Sequence, residues 1–239
     1  MLRTSGRAAD PAAARRGACR DRREAAMEEQ DARREGAAPK RRIEDAAIHC
    51  RLNDGTAVCL RTITPDDAEL IREGIARLSA ESRYLRFFSP ATSLPDAVIE
   101  RLVDVDGHDH IAWGAICSSC PDRPAIGAVH AVRHRPDGPV GEFSIAVLDD
   151  YHGQGLARMM TAALLVDCLD EGLVELDVHM LSENDAARRL VKTLGAVWAG
   201  ESAGVAEYRL DVAEGLAALR ADSDAPGVCD VLAALDTLQ

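Results

Sequence analysis

The segment Ile145-Ala146-Val147-Leu148-Asp149-Asp150-Tyr151-His152-Gly153-Gln154-Gly155-Leu156-Ala157-Arg158 passes from a strand, through a turn with two glycines, straight into a helix. The strand extends back to Glu142. Phe143, Ile145 and Val147 fall on one face, and Glu142, Ser144 and Ala146 on the other. The helix carries Leu156, Met159, Met160, Ala163 and Leu164 at i, i+3, i+4, i+7 and i+8, an amphipathic stripe. Glycine lets a backbone approach a ligand closely, and the first amides of a helix have no intrahelical acceptor. Together with the helix dipole they form an anion cradle that suits a pyrophosphate. The competing reading is a plain tight turn from strand to helix. A dinucleotide fingerprint is excluded because Arg158 occupies the third glycine position, and a P-loop because no Gly-Lys-Ser/Thr follows.

Working outward, Ala57 to Ile63 reads as a strand, and Thr64-Pro65-Asp66-Asp67 opens a helix that runs to Leu78. Ser79 to Phe88 and Pro95 to Val105 read as two more helices. His110 to Ile116 and Ala125 to Val132 are strands around the turn Cys117-Ser118-Ser119-Cys120-Pro121-Asp122. Beyond the central helix, Val174, Leu176, Val178 and Met180 alternate with Glu175, Asp177 and His179 as a strand. Ser182 and Asp185 have the spacing of a capping box, opening a helix that Gly195 ends. Val197 to Glu201 and Val205 to Leu210 read as a hairpin, and residues 212–239 as Ala/Leu-rich helix broken at Pro226-Gly227. This order predicts a mixed α/β fold with helices on both faces of the sheet.

The 239 residues hold 28 Lys+Arg against 40 Asp+Glu, a net charge of −12. Residues 1–47 carry net +3 and the remainder net −15. The first stretch has few residues able to build a core and reads as a disordered extension, either a basic arm or a segment upstream of a start at Met27. Residues 48–211 form the predicted domain and 212–239 a helical extension. An acidic domain argues against nucleic acid and for cationic ligands. The longest apolar run, Met159 to Val166, is too short to cross a membrane. Seven scattered cysteines suggest reduced thiols in a cytoplasmic protein. Cys117 and Cys120 followed by His130 and His134 have the order of a zinc finger, but the central gap is short and crosses a strand, so no metal site is expected. Cys50, Cys59, Cys168 and Cys229 read as small buried residues.

The loop His152-Gly153-Gln154-Gly155-Leu156-Ala157 resembles the acetyl-CoA loop of the GNAT superfamily of N-acetyltransferases. Four other stretches agree in order and spacing: Thr62 to Ala68, Glu142 to Val147, Ser182 to Leu190, and Leu194-Gly195. Ser82-Arg83-Tyr84-Leu85-Arg86-Phe87-Phe88 and Met180 to Asn184 are most similar to bacterial protein-lysine acetyltransferases of acyl-CoA synthetases. The resemblance spans Thr56 to Asp211. It implies a mostly antiparallel sheet, splayed where acetyl-CoA binds. It further implies that Ile145, Ala146 and Val147 pair with the pantetheine arm, with Asn184 hydrogen-bonding nearby. His152, Gly153, Gln154, Gly155, Leu156, Ala157 and Arg158 would surround the pyrophosphate.

Glu142 stands where the lysine-modifying members carry a general base. A lysine is almost wholly protonated at neutral pH and must lose a proton before it attacks. A carboxylate facing the cleft accepts that proton directly or through water, and partial burial would raise its pKa usefully. Two positions depart from the family pattern. His152 replaces the usual Gln or Arg, and Val191 replaces a tyrosine that protonates the leaving thiolate, with Tyr151 and Tyr208 as remote substitutes. The implied activity is direct acetyl transfer from acetyl-CoA to a cationic amine, such as a lysine of an acyl-CoA synthetase. Alternatives are a small-molecule amine acceptor, or a non-catalytic CoA-binding module.

Overall fold

The computed structural model describes residues 47–89, 91–222 and 225–238. The expected disordered extension lies outside these residues except for Ala47. The strands are β1 (Ile48–Arg51), β2 (Ala57–Thr62), β3 (His110–Cys117), β4 (Ala125–Arg133), β5 (Val140–Val147), β6 (Glu175–Leu181), β7 (Val197–Ser202) and β8 (Val205–Asp211). The helices are α1 (Ala68–Arg77), α2 (Ala80–Phe87), α3 (Asp96–Val103), α4 (Leu156–Asp170), α5 (Asp185–Thr193), α6 (Val212–Ala221) and α7 (Pro226–Leu238). One sheet runs in the order β1-β2-β3-β4-β5-β6-β8-β7. Every neighbouring pair is antiparallel except β5–β6.

That parallel pair shapes the site. Val140–Phe143 pairs with Glu175–Val178, and there the ladder stops. β5 stays bonded to β4 as far as Val147, and β6 stays bonded to β8 as far as Leu181. The two strands therefore diverge after Phe143, and the β6-facing edge of β5 lies open from Ser144 to Val147. A mostly antiparallel sheet, splayed at its centre with helices on both faces, is the expected architecture.

Several local readings need correction. β1 was not anticipated; four residues with alternating burial are too short a signal. Thr64 closes a capping box with Asp67, but the turn Pro65–Asp67 is a 3-10 turn and the α-helix starts at Ala68. The cap of α5 is Asn184 rather than Ser182. Asn184 Oδ1 accepts from the Ala187 amide at 3.0 Å, because the turn closed by Asn184 N–H to Leu181 O shifts the start by two residues. Central helix α4 is not amphipathic. Thr161, Ala162, Leu165, Val166 and Cys168 are buried together with the predicted stripe, because α6 and α7 cover its outer side. The break near residue 226 falls just before Pro226, which begins α7.

Cys117 and Cys120 are joined in a disulfide rather than being reduced thiols. The tight hairpin between β3 and β4 holds their Cα atoms 5.4 Å apart, within bridging range. Cys50, Cys59 and Cys168 are buried as expected, but Cys229 is exposed on the outer side of α7. No helix of the described residues is long and apolar enough to cross a membrane.

Candidate active site

The glycine loop occupies the mouth of the divergence between β5 and β6. A 3-10 turn, Asp149–Tyr151, leads from β5 into it. Gly153 and Gly155 have φ of +73° and +88°, in the left-handed region that side chains disfavour. A Cβ at Gly155 would stand 3.3 Å from Asn53 Oδ1, whereas one at Gly153 would meet open space. Gly155 is the N-cap of α4, and the first helical bond runs from Met159 N–H to Gly155 O. The amides of Leu156, Ala157 and Arg158 therefore precede the helical ladder.

Backbone and side-chain hydrogen bonds brace the loop. The Asn53 amide, from the β1–β2 turn, donates to Gln154 O at 3.1 Å. His152 Nε2 donates to Val147 O at 2.9 Å, tying the loop back onto β5. Asp149 accepts from the Ser79 amide, Ser79 Oγ and Ser82 Oγ at 3.0, 2.8 and 2.7 Å, and so fastens the start of α2 to the loop. Burial opposes its charge, but these bonds hold the Asp149 carboxyl down at about 2. The Arg158 guanidinium is paired with Asp222 at 2.5 Å, which leaves its backbone amide as its contribution to the cradle.

On the opposite face of β5, Glu142, Ser144 and Ala146 point toward α1, α2 and α3. Glu142 is exposed rather than part-buried. Arg86 Nη2 donates to Ser144 Oγ at 2.7 Å. Burial pushes the guanidinium down to about 10, against the nearby charge of Glu142. In register with Glu142 stand Val132 on β4 and Asp177 on β6. Asp177 is held by His134 Nε2 at 2.8 Å and lies 3.9 Å from Arg209 Nε. Deeper in, a cavity partly open to solvent lies between the sheet and α1, α2 and α3, lined by Leu70, Leu78, Arg86, Leu102, His130 and Ala146.

Glu142, Ile145, Ala146 and Val147 lie along β5, which runs into the loop from His152 to Arg158, and Asn184 follows the end of β6, the other strand of the diverging pair. The Oδ1 atom of Asn184 is used in capping α5, and its Nδ2 makes no hydrogen bond among the described residues. Val191 is buried in the core, Tyr151 Oη lies 3.3 Å from Cys120 Sγ, and Tyr208 packs edge-on against Trp198. The four zinc-finger-like residues are separated: the cysteines are bridged, His130 meets His110, and His134 meets Asp177. Asn53, Asp149, Arg86 and His130 escaped sequence reasoning as site residues. Asp149, Arg86 and His130 lie in stretches that carry other signals, and Asn53 in the turn Asn53-Asp54-Gly55, but nothing local marks them as contributors to this site.

Residues 57–197 match the acetyltransferase (GNAT) domain family. The chain belongs to the GNAT acetyltransferase family. It is 31% identical over 165 residues to acetyltransferase Pat of Mycolicibacterium smegmatis, covering 69% of this chain and 49% of that protein. The chain thus spans about half the length of this curated relative. Two solved structures share the fold. The GNAT domain of S. lividans PAT has a TM-score of 0.63 at 23% identity, covering 69% of this chain and 96% of that one. Spermidine N-acetyltransferase from Vibrio cholerae, in complex with CoA and spermine, has a TM-score of 0.52 at 17% identity, covering 66% and 98%. The glycine loop and the open β5 edge of this acetyltransferase lie inside the matched region.

Proposed function

We propose that this acetyltransferase moves an acetyl group from acetyl-CoA directly to the side-chain amine of a protein lysine, such as one in an acyl-CoA synthetase. The observation that carries the reading is the divergence of β5 from β6 beside the left-handed glycine loop. It offers an unpaired strand edge next to a cluster of helix-start amides. An extended pantetheine amide chain can pair with Ile145 to Val147, and Asn184 Nδ2 can donate to it. The amides of the loop and of Leu156, Ala157 and Arg158 suit a pyrophosphate. Acetyl-CoA, as co-substrate, supplies a thioester carbonyl open to attack.

Glu142 then acts on the acceptor. It is an exposed carboxylate on the open face, free to take a proton from an incoming ammonium and leave the neutral amine. The resemblance of Ser82–Phe88 and Met180–Asn184 to protein-lysine acetyltransferases favours a protein acceptor over a small amine.

The test is thiol release from acetyl-CoA against a panel of lysine-containing proteins. Glu142→Gln is expected to lower turnover about 10²- to 10⁴-fold while CoA affinity, measured by calorimetry, stays unchanged. Equal rates for both proteins on a responsive substrate would remove Glu142 as the base. Failure of either protein to bind CoA would overturn the reading as a whole.

A further inference from the structure

The cavity beneath α1 is apolar along Leu70, Ile71 and Leu78 and carries two strongly polar groups, Arg86 and His130. Arg86 is engaged with Ser144. His130 is 4% exposed, and its proton can be located from its neighbours. His110 Nδ1 lies 2.8 Å from the carbonyl oxygen of Asp104, and His110 Nε2 lies 3.0 Å from His130 Nδ1. A carbonyl only accepts, so His110 Nδ1 carries the proton and donates. Nε2 of neutral His110 is then a lone pair, and His130 Nδ1 donates to it. That leaves Nε2 of neutral His130 with a lone pair on a ring lining the cavity. It makes no hydrogen bond among the described residues.

Burial disfavours the charged form of both rings, and His110 and Arg86 depress His130 further. The groups facing the pair are Arg86 from α2, and Asp104 and Asp106 from the segment before β3, with Glu142 on neighbouring β5. The ring is buried but lines a cavity that is partly open to solvent, so a donor on a bound molecule can reach Nε2 there.

We propose that His130 Nε2 is a second proton-accepting group for the acceptor nitrogen, with His110 as the positioning residue that fixes its tautomer. The proposal rests on the acetyl-transfer reading above. Overall, R–NH3+ and acetyl–S–CoA give R–NH–acetyl, HS–CoA and one H+, so the nitrogen sheds two protons. Glu142 takes the first, before attack. As the C–N bond forms and the C–S bond breaks, His130 Nε2 takes the second. That proton leaves from His130 Nε2 through the partly open cavity as product departs, while the Nδ1–H to His110 Nε2 bond stays in place, so the resting tautomer is restored. The first proton passes from Glu142 to the departing sulfur. His130 faces Ser144 across the ladder, and Glu142 is two residues along the same face, about 7 Å away. The two bases therefore flank one strip of the sheet.

The experiment is nitrogen NMR of the histidine side chains in the full chain, first free, then with CoA. The third sample contains CoA whose sulfur carries –CH2–CO–NH–butyl, an amide N–H at the position of the reacting nitrogen. In the free protein His130 should be protonated at Nδ1 and bare at Nε2. The Nε2 signal should shift with the amide-bearing probe and not with CoA alone. His130→Gln should weaken probe binding about 5- to 10-fold without changing CoA affinity, and His110→Phe should give His130 a mixture of tautomers. Protonation at Nε2 in the free protein, or a bound probe that leaves Nε2 unmoved, would overturn the proposal and leave the acetyl-transfer reading intact. Absence of binding by both CoA and probe would overturn both. If either variant fails to fold, the wild-type spectra alone decide.

Discussion

Asp167 lies on α4 facing the sheet, where Trp113 Nε1 donates to its Oδ2 at 2.7 Å and its Oδ1 has no hydrogen-bond partner. Burial, joined by repulsion from Asp170 and Glu171, pushes its carboxyl up to about 7 against the bond from Trp113. An acid whose folded pKa is raised costs stability as pH climbs from its unfolded value toward the folded one. Asp167→Asn keeps an oxygen for Trp113 and removes the charge. It should therefore stabilise the protein, by roughly 1–3 kcal/mol more at pH 8 than at pH 5. Urea midpoints at the two pH values check this, and a gain independent of pH would show that the carboxylate is not the cause. No periodicity or motif marks this residue; its cost exists because folding buries the carboxyl of α4 against the sheet, and the Trp113 bond offsets only part of it.

Helix α4 and the β4–β5 turn are joined through one imidazole. His108 Nδ1 lies 2.7 Å from Glu171 Oε2, just past the end of α4, and Nε2 lies 3.0 Å from Asp137 Oδ1 in the turn. Burial and Arg133 oppose its charge, yet the two carboxylates raise its pKa above the ordinary value. A raised histidine stabilises the fold fully below its unfolded pKa, and the contribution is lost as pH rises through the folded value. Wild type should therefore exceed His108→Gln in urea midpoint at pH 5.5 and match it at pH 8.5. A difference that persists at the higher pH would assign the role to packing. The strands and helices around this contact were legible, since alternation and caps are local. Their ends were less so: Asn184 displaced Ser182 as a cap because a turn bond, invisible in composition, chose between two competent residues.

Across the molecule, α6 and α7 turn α4 from a half-exposed helix into a core element. Val228, Val231 and Leu235 of α7 are buried, and α7 packs on both α4 and β1. Leu235→Ala should cost about 2–5 kcal/mol, read as a lower urea midpoint. A negligible change would mean that this helix does not share the core. The Arg158–Asp222 pair links the same segment to the glycine loop, so the C-terminal helices reach the site through charge as well as packing.

The strand-turn-helix segment carried the main fold information in its own residues. Positive φ demands glycine at Gly153 and Gly155, and alternation sets Glu142 on the face opposite Phe143. Those are short-range properties, readable wherever neighbouring residues set the conformation. The braces on the loop from Asn53 and Asp149, the contact of Arg86 with Ser144, and the His110–His130 chain join residues far apart in sequence. No local rule pairs such residues, because their energies arise only when folding excludes water between them and fixes which donor meets which acceptor.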